Sequence, residues 1–496
     1  MAQSLLRVIP KILPALDPDF RPPVLGHRNF VSAAKKSGKS VPLQFAIERS
    51  GGVITRYDTL CFASGASGSA DNLFYADRIL KTLLWARGGF RVFISAPKEV
   101  VASLQKAYAK GGSPAFDADF FAKVYEAKKF EVIAKDAKSL PKSNEKSQPI
   151  GRHLEGCRIG FDAGGSDRKV AAVIDGKEVF TTETVWEPKI NSDPQYHFDG
   201  IDDSIRQAAA HLPRIDAIGV SSAGIYVNNR AMVASLFRKV PEAQFEKRIK
   251  SIYLDVAKKW GNVPIEVAND GDVTALAGSM SLNDNAVLGL AMGTSQAVGY
   301  VDAKGHVTGW LNELAFAPAD YAENAPADSE WSGDSGTGVN YFSQDAVIRL
   351  APKLGIQLKA SDAPGTKLKA VQTLLKNGDQ RVGAIFETIG AYLGYAILQY
   401  AEFYDLRHVL ILGRVTSGQG GEIVLAKAKA VMSAEDPVLS RRISVNLPDE
   451  ASRRVGQAIA AASLPEIKKL KLLPSSPRRG RPVAGPKSRP KKKAKR

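Results

Sequence analysis

The sequence predicts an α/β protein, and three observations support this prediction. Apolar strand-like runs alternate with helical stretches between residues 41 and 463, which is typical of sheets covered by helices. Several of the predicted strands end in bends rich in Gly, Asp, Thr and Ser. The 496-residue length exceeds one hydrophobic core, so we expect more than one domain.

The first predicted domain covers residues 1–150 and is a small α/β unit. "VPLQFAIERSGGVITRYDTLCF" (41–62) has a Ser-Gly-Gly turn between two strand patterns and predicts a hairpin. After it we expect, in order, a helix ending in glycine (76–89), a strand (90–96), a helix (98–112) and a strand (130–136). The polar, proline-flanked residues 136–150 are predicted to form a linker.

The second predicted domain covers residues 151–467 and is larger. Its predicted strands are 158–164, 169–175, 217–224, 265–270, 286–295, 297–303 and 408–414, and its predicted helices include 231–260, 381–404 and 450–463. This alternation indicates parallel or mixed sheets with helices on their faces.

The third predicted segment is a basic tail, residues 468–496. It holds thirteen Lys or Arg and no acidic residue, so the rest of the chain has a net charge of only +4 out of the total +17. Its Pro, Ser, Gly, Lys and Arg cannot bury enough apolar surface to fold, and we expect disorder. A solvated extension and weak contact with nucleic acid or an acidic surface through counterion release both remain open.

Composition favours a cytoplasmic protein without a membrane anchor. Two cysteines, Cys61 and Cys157, can form neither a disulfide framework nor a multi-cysteine zinc site. No apolar run reaches the roughly 18 residues of a membrane helix, and "GAYLGYAILQY" (390–400) is expected to be a buried helix. The N-terminal stretch has two prolines and no clear cleavage site, which disfavours a signal peptide.

Three glycine-containing bends after apolar strands are candidate phosphate sites. They lie in "IGFDAGGSDRKVAAVIDG" (159–176), "LGLAMGTSQAVGYV" (288–301) and "HVLILGRVTSGQGGEIV" (408–424). Glycine lets backbone N–H groups approach an anion, and a bend from strand to helix is a common nucleotide site. An ordinary hairpin is the alternative for the first bend. A P-loop signature and a G-x-G-x-x-G fingerprint are both missing from the sequence, which argues against those nucleotide-binding folds.

A fourth motif, "PIEVANDGDVTALAG" (264–278), places Asn269 and Asp270 between an apolar run and an alanine-rich one. Asn, Asp and Gly are turn residues, and Asp is a favoured helix N-cap. Locally, Asp270 is therefore either a structural cap or a general base.

The order of these four motifs resembles the sugar-kinase branch of the actin/hexokinase superfamily, and most closely the ROK family. The resemblance covers about residues 157–465. It implies a two-lobed actin/hexokinase-like (ribonuclease H-like) α/β fold, here with an additional N-terminal α/β domain and a disordered basic tail.

The resemblance also implies an ATP-dependent carbohydrate kinase that uses Mg²⁺. It assigns Asp270 as the general base and Asn269 and Glu313 as substrate-binding residues. The implied nucleotide-binding residues are Asp162, Gly164, Gly165 and Ser166 in a first clasp, Gly293, Thr294 and Ser295 in a second, and Gly413 and Arg414 beside the adenosine. Such chemistry requires positioning, charge neutralisation and a carboxylate that accepts the hydroxyl proton.

The substrate side departs from the family pattern. In "GWLNELAFAP" (309–318), Glu313 matches the sugar-binding Glu, but Phe316 stands where the family has His. Downstream, Ser332 and Thr337 occupy cysteine positions of the family's zinc loop, and Val339 occupies the position of a second sugar-binding Glu. No zinc is therefore expected at this loop.

The nucleotide side departs less. Ser295 to Val298 replace most of a glycine run, and Arg414 stands where a second glycine is common. Two structural alternatives stay open: Glu313 caps a turn, or Arg414 is a solvated or ion-paired surface residue.

The sequence thus predicts a kinase for an unidentified sugar-like hydroxyl, with a non-catalytic sugar- or nucleotide-sensing protein as the alternative. The first 150 residues do not match the helix-turn-helix of ROK repressors, which disfavours a repressor. For that segment, dimerisation (giving a homodimer) and lid formation remain open.

Overall fold

A computed structural model describes residues 4–109, 115–145, 149–327, 332–447 and 450–467, without the side chains of residues 115 and 450–455. The described residues up to Glu466 belong to one compact unit. The predicted disorder of residues 468–496 lies outside the described residues.

The N-terminal segment, defined as residues 4–145 without 110–114, is built around a four-stranded sheet. Its elements are α1 (Pro23–Lys36), β1 (Ser40–Arg49), β2 (Val53–Phe62), α2 (Asn72–Arg87), β3 (Arg91–Ser95), α3 (Lys98–Ala107), α4 (Ala115–Val124) and β4 (Glu131–Ala134). The strand order is β2-β1-β3-β4, and β1 and β2 form the predicted hairpin. Helix α2 ends where Gly88 adopts a positive φ of 81°, as the predicted glycine stop requires. Helices α1 and α4 were not predicted.

The first lobe follows, with a five-stranded mixed sheet. Its elements are β5 (Cys157–Ala163), β6 (Asp167–Ile174), β7 (Lys177–Val185), α5 (Pro194–Ala209), β8 (Ala217–Ser222), β9 (Ile225–Val227), β10 (Arg230–Val233), α6 (Glu242–Gln244), α7 (Ile252–Lys259), β11 (Ile265–Asn269) and α8 (Asp270–Leu282). The sheet order is β11-β8-β5-β6-β7, while β9 and β10 form a separate two-stranded ribbon.

One prediction in this lobe is wrong at its start: residues 231–260 are not one helical stretch. Residues 230–233 form strand β10, and after a short 3₁₀ helix at Ser235–Phe237 the first α-helical turn begins only at Glu242. The missed signal is the pair Asn228-Asn229 between two short apolar runs, because both residues have positive φ, 52° and 62°. Such a pair is typical of a tight hairpin turn.

The second lobe holds a four-stranded sheet of order β13-β12-β14-β15. Its elements are β12 (Val287–Met292), β13 (Gln296–Val301), α9 (Gln344–Leu350), α10 (Pro364–Lys376), α11 (Gly383–Tyr400), β14 (His408–Leu412), α12 (Gln419–Glu435), α13 (Pro437–Arg442) and β15 (Ser444–Asn446), and they are followed by α14 (Glu450–Ala462). As in the first lobe, an antiparallel hairpin is joined in parallel to a later strand. The two-lobed α/β fold expected from the sequence is therefore present.

Helix α14 returns to the first lobe at the end of the chain. It packs against β5 and β8, where a Cβ on Gly160 or Gly219 would overlap the carbonyl oxygen of Ala458 or Ala461. Glycine at these two strand positions is thus what allows the close approach of the helix.

Helix α8 joins the lobes. A Cβ on Gly299 of β13 would overlap the backbone of Gly271, and a Cβ on Gly271 would lie 2.8 Å from the carbonyl oxygen of Val298. Two glycines facing each other let the first turn of α8 lie against the second sheet, backbone to backbone. The start of α8 is therefore at the boundary between the lobes.

One helix in the described residues, Gln380–Tyr400, is long and apolar enough to cross a membrane, and most of it is buried inside the protein. This burial agrees with the core helix predicted at residues 390–400.

Candidate functional site

The carboxyl ends of three parallel strands meet at one edge of the first sheet. Ala163 of β5 is paired with Ser222 of β8, and Ser222 is paired with Asn269 of β11. Asp162 precedes Ala163, and Asp270 follows Asn269. This edge therefore brings together two carboxylates that lie more than 100 residues apart in the sequence, where open α/β sheets commonly bind ligands.

In the Asn269-Asp270 pair, the helix cap is provided mainly by one residue, and the other is available as a candidate base. The Asn269 side chain caps α8 by accepting a hydrogen bond from the Gly271 N–H at 2.7 Å, and its Nδ2 donates to the Gly224 carbonyl at 2.8 Å. Asp270 is the first residue of the helix, and its Oδ1 also accepts from the Gly271 N–H, at 3.0 Å. The cap is thus mainly Asn269, which leaves the half-buried Asp270 carboxylate free for other contacts.

The two aspartates are electrostatically coupled. Burial raises the pKa of Asp162 to about 6, and the negative charge of the nearby Asp270 contributes to this rise. The Ser221 hydroxyl, which donates a hydrogen bond to Asp162 Oδ1 at 2.7 Å, opposes the rise. Burial also raises the pKa of Asp270, while Gly271 N–H and the Lys189 ammonium lower it. A carboxyl whose pKa is shifted toward neutrality is suited to proton transfer.

The predicted first clasp, Gly164 to Ser166, is the turn between β5 and β6. The Gly164 carbonyl accepts a hydrogen bond from Trp186 Nε1 at 2.8 Å. Trp186 N donates to the Ser166 carbonyl at 3.2 Å. These bonds fix the turn from the side of the β7–α5 connection.

Lys189 is a functional candidate that the sequence analysis missed. A Cβ on Gly165 would lie 2.5 Å from Lys189 Nζ, so the ammonium lies directly over the first clasp. The same ammonium lowers the pKa of Asp270. Lys189 follows the strand β7 outside any motif, and only the fold shows its position between the glycine turn and the aspartate.

The predicted second clasp and the late glycine loop meet at the edge of the second sheet. Ala291 of β12 is paired with Leu412 of β14, so the bends that follow these strands are neighbours. Gly413 has a φ of 98°, and a Cβ there would overlap the carbonyl oxygen of Met292. Glycine is therefore required at this position.

A side-chain hydrogen bond joins the two bends. Arg414 Nη2 donates to Thr294 Oγ1 at 2.7 Å, and Thr294 and Ser295 are exposed. Gly293 accepts a hydrogen bond from Gln344 N at 2.9 Å, which ties the second clasp to α9. Arg414 is itself exposed, so a surface role for it stays open beside the predicted nucleotide contact. It orients the hydroxyl of the second clasp.

Within the described part of the chain, no hydrogen bond joins the first clasp with the second. Helix α8 links the two lobes, since its first turn carries Asp270 and lies against β13, the strand that follows the second clasp.

Glu313 lies near Asp270 and Asp272. Burial raises the pKa of Glu313 to about 8, and the nearby Asp270 and Asp272 raise it further. Asp272 accepts hydrogen bonds from Tyr300 N at 3.0 Å and from Asn312 Nδ2 at 2.9 Å. Asp272 thus fixes Asn312, the residue before Glu313. The Glu313 side chain makes no cap hydrogen bond to the short helix that follows it, which argues against the turn-cap alternative.

The residues that depart from the family pattern make packing contacts. The Phe316 ring lies 4.5 Å, centroid to centroid, from the Trp85 ring of the N-terminal segment. The Val339 carbonyl accepts a hydrogen bond from Ser343 Oγ at 2.7 Å, and Thr337 is buried. Among the described residues, no group of three or more His, Cys, Asp or Glu side chains is arranged to hold a metal ion.

The candidate site, called the cleft below, therefore combines two chemically different sets of groups. Glycine turns, hydroxyls, Lys189 and Arg414 can bind an anion such as a phosphate chain. Asp270 and Glu313 can accept hydrogen bonds from neutral hydroxyl groups. The site thus holds groups suited to bind a hydroxyl together with groups suited to bind a phosphate.

Comparison with known proteins tests the fold independently. No family model matches the sequence, and no curated protein matches it. A structure of a ROK family transcriptional regulator, a homologue of the E. coli MLC protein, matches with a TM-score of 0.50 and 17% identity over 63% of this chain and 79% of that chain.

Two sugar kinases also match in structure. The ROK hexokinase from Thermus thermophilus has a TM-score of 0.48 and 15% identity, over 62% of this chain and 96% of that chain. The ROK family glucokinase from Streptomyces griseus has a TM-score of 0.45 and 18% identity, over 62% and 98%. By its likeness to the regulator, this chain has the two-lobed fold of ROK-family proteins.

Proposed function

We propose that this protein transfers the γ-phosphoryl group of ATP to a hydroxyl of a sugar or sugar-like molecule. The observation that carries the proposal is the position of Asp270. Its carboxylate lies at the start of α8, beside Asp162 and Glu313 and within the field of Lys189. A base with a raised pKa next to an anion-binding turn is what phosphoryl transfer to a hydroxyl requires.

Each part of the cleft has a role in this reaction. Asp270 accepts the proton of the acceptor hydroxyl while the hydroxyl oxygen bonds to the γ-phosphorus. The bond between the γ-phosphorus and the bridging oxygen of ADP breaks, and ADP leaves. The turn at Gly164 to Ser166 and the hydroxyls of Thr294 and Ser295 bind the phosphate chain, and Lys189 neutralises its developing charge. Mg²⁺ bound to the ATP phosphates would supply further charge neutralisation.

The acceptor binds on the side of Glu313. Asn269 has both ends of its amide engaged with backbone groups, so we assign it mainly to the orientation of Asp270. Glu313 is the remaining predicted acceptor ligand, and one carboxyl group binds one or two hydroxyls of a polyhydroxylated molecule. We also propose a cytoplasmic location, since Cys61 and Cys157 are both free and buried.

A substrate panel tests the proposal. Purified protein is incubated with ATP, Mg²⁺ and each of a series of hexoses, amino sugars and polyols, and ADP release is followed. Acceptor-dependent ADP release is the expected result. If no member of the panel is phosphorylated and calorimetry detects no nucleotide binding, the proposal is wrong.

A second function is favoured by one departure on the acceptor side. Val339 offers only a backbone carbonyl where a second acidic ligand is expected for sugar kinases, and that carbonyl is already bonded to Ser343. A protein that binds a sugar or nucleotide as a sensor, without efficient transfer, is compatible with this loss. Binding of ATP or of a sugar without turnover would select this alternative.

A further inference from the structure

The N-terminal segment binds the loop 309–318 that carries Glu313. The N–H groups of Asn312 and Glu313 donate hydrogen bonds to the carbonyl oxygens of Ala86 and Trp85, at 3.1 and 3.0 Å. These carbonyls belong to the last turn of α2, where helix carbonyls have no partner inside the helix. The backbone carbonyls at the end of α2 and the backbone N–H groups of the loop thus provide each other's hydrogen-bond partners.

An aromatic contact reinforces this pairing. Trp85 is fully buried, and its ring lies 5.0 Å, centroid to centroid, from each of Phe120 and Phe121 on α4. Phe316 of the loop joins the same cluster at 4.5 Å from Trp85. Aromatic pairs at this separation are stabilising beyond the burial of their surface, so the loop is fixed on both sides of Glu313.

The other end of the loop is held by three further groups of the N-terminal segment. The Arg87 guanidinium lies 3.3 Å from the centre of the Trp310 ring, and Trp310 Nε1 donates to Glu145 Oε1 at 2.8 Å. Arg49 Nη1 donates to the Gly309 carbonyl at 2.9 Å. A buried guanidinium on an indole ring is a strong cation–π contact.

The same segment also touches the first lobe. Val124 of α4 packs in one apolar cluster with Ile225 of the β9–β10 ribbon, and Leu311 of the loop lies against this cluster. Glu126 forms an ion pair with Arg230 at 2.7 Å. The N-terminal segment therefore contacts both the first lobe and the loop that carries Glu313.

From these contacts we infer that the N-terminal segment is a structural part of the acceptor site. Trp85 is the central positioning residue: it binds the loop through its backbone carbonyl and through its ring, and thereby sets where the Glu313 carboxylate lies. The function of Glu313 as an acceptor ligand rests on the proposed kinase activity. The dependence of the loop's order on Trp85 does not.

The test compares Trp85→Leu with Phe30→Leu in the full-length protein. Phe30 is an equally buried aromatic residue of the same segment. Its ring packs against the rings of Phe62 and Tyr75, which lie outside the loop. Both variants lose a buried ring, so a general loss of stability affects both.

Trp85→Leu is expected to raise the acceptor KM by roughly tenfold or more, since small displacements of a positioning group are costly, with the ATP KM unchanged. Hydrogen exchange at the Asn312 and Glu313 amides should become faster, while exchange in residues 288–301 stays as in the wild type. Phe30→Leu should change neither readout, and Trp85→Phe should retain most of the wild-type behaviour. Phe316→Leu removes the same ring contact from the loop side and should reproduce the effect if Trp85→Leu does not fold.

Equal exchange rates in residues 309–318 for the Trp85, Phe316 and Phe30 variants would overturn the inference. An unchanged acceptor KM in both Trp85→Leu and Phe316→Leu would also overturn it. If the wild-type protein phosphorylates nothing, the proposed function is wrong, and the exchange experiment still decides whether the N-terminal segment orders the loop.

Discussion

Acidic residues with different tasks surround the start of α8. Asp272 is held by the Tyr300 N–H and the Asn312 amide, and burial raises its pKa to about 7. Asp162 is held by Ser221. Asp270 accepts a hydrogen bond from the Gly271 N–H of its own helix and, among the described residues, none from a side chain, which makes it the aspartate of this group best placed to exchange a proton with a ligand.

Lys189 should set the pH dependence of the reaction. Burial raises the pKa of Asp270 above its usual value of 3.8, and the Lys189 ammonium opposes this rise. Lys189→Met should therefore raise the pKa of Asp270. The base is then protonated at a higher pH, so the acidic limb of the activity profile should shift to higher pH. The measurement is the acidic limb of the profile of kcat/KM against pH.

Lys177→Met is the matched control, because Lys177 is an exposed lysine at the other end of the same sheet. Superimposable acidic limbs for Lys189→Met and the wild type would contradict the role of Lys189.

Glu313 should make stability depend on pH. Burial raises its pKa in the folded protein from 4.5 to about 8, so the folded state favours the protonated form. That contribution to stability is fully present below pH 4.5 and is lost as the pH rises through about 8. Glu313→Gln keeps a neutral side chain, and its melting temperature should exceed that of the wild type more at pH 9 than at pH 5. Equal differences at the two pH values would show that Glu313 ionises freely in the fold.

At the scale of elements, the site depends on how closely α8 approaches β13. The apolar runs at 158–164, 265–270 and 408–414 predicted the strands, and the Asn-Asp motif predicted the bend before α8. The approach itself was not predictable, because Gly271 and Gly299 lie 28 positions apart and no sequence pattern pairs them. The same holds for Trp85 and Phe316, whose contact depends on tertiary structure alone.

Gly299→Ala should disturb this approach. Its Cβ would overlap the backbone of Gly271, so the first turn of α8 must move. Overpacking of this kind typically costs about 1–3 kcal/mol of unfolding free energy, and kcat should fall because Asp270 moves with the turn. Urea unfolding and steady-state kinetics measure the two effects.

Gly383→Ala is the control, since a Cβ at Gly383 would meet only Ile423 Cδ1, at 3.9 Å. It should leave stability and kcat close to those of the wild type. If Gly299→Ala behaves in the same way, the close contact between α8 and β13 does not position the site.

At the scale of the molecule, the resemblance to ROK proteins predicted the two lobes and the approximate places of the glycine turns. It could not predict what the first 145 residues do, because no motif in them points to the cleft. Their role becomes visible only when α2 is seen to bind the Glu313 loop and α4 to pack beside the first lobe. The second sheet has four strands where the first has five, a difference that was not predicted from the sequence.

The proposed function requires Asp270 to act as a base at the boundary between the two lobes. The most direct test is the rate of acceptor-dependent ADP release by Asp270→Asn, with ATP affinity measured by calorimetry on the same protein. Asp255→Asn, on an exposed position of α7, is the control. We predict that Asp270→Asn lowers kcat by roughly 10²–10⁴-fold and leaves ATP affinity nearly unchanged. Wild-type turnover by Asp270→Asn would contradict the central claim.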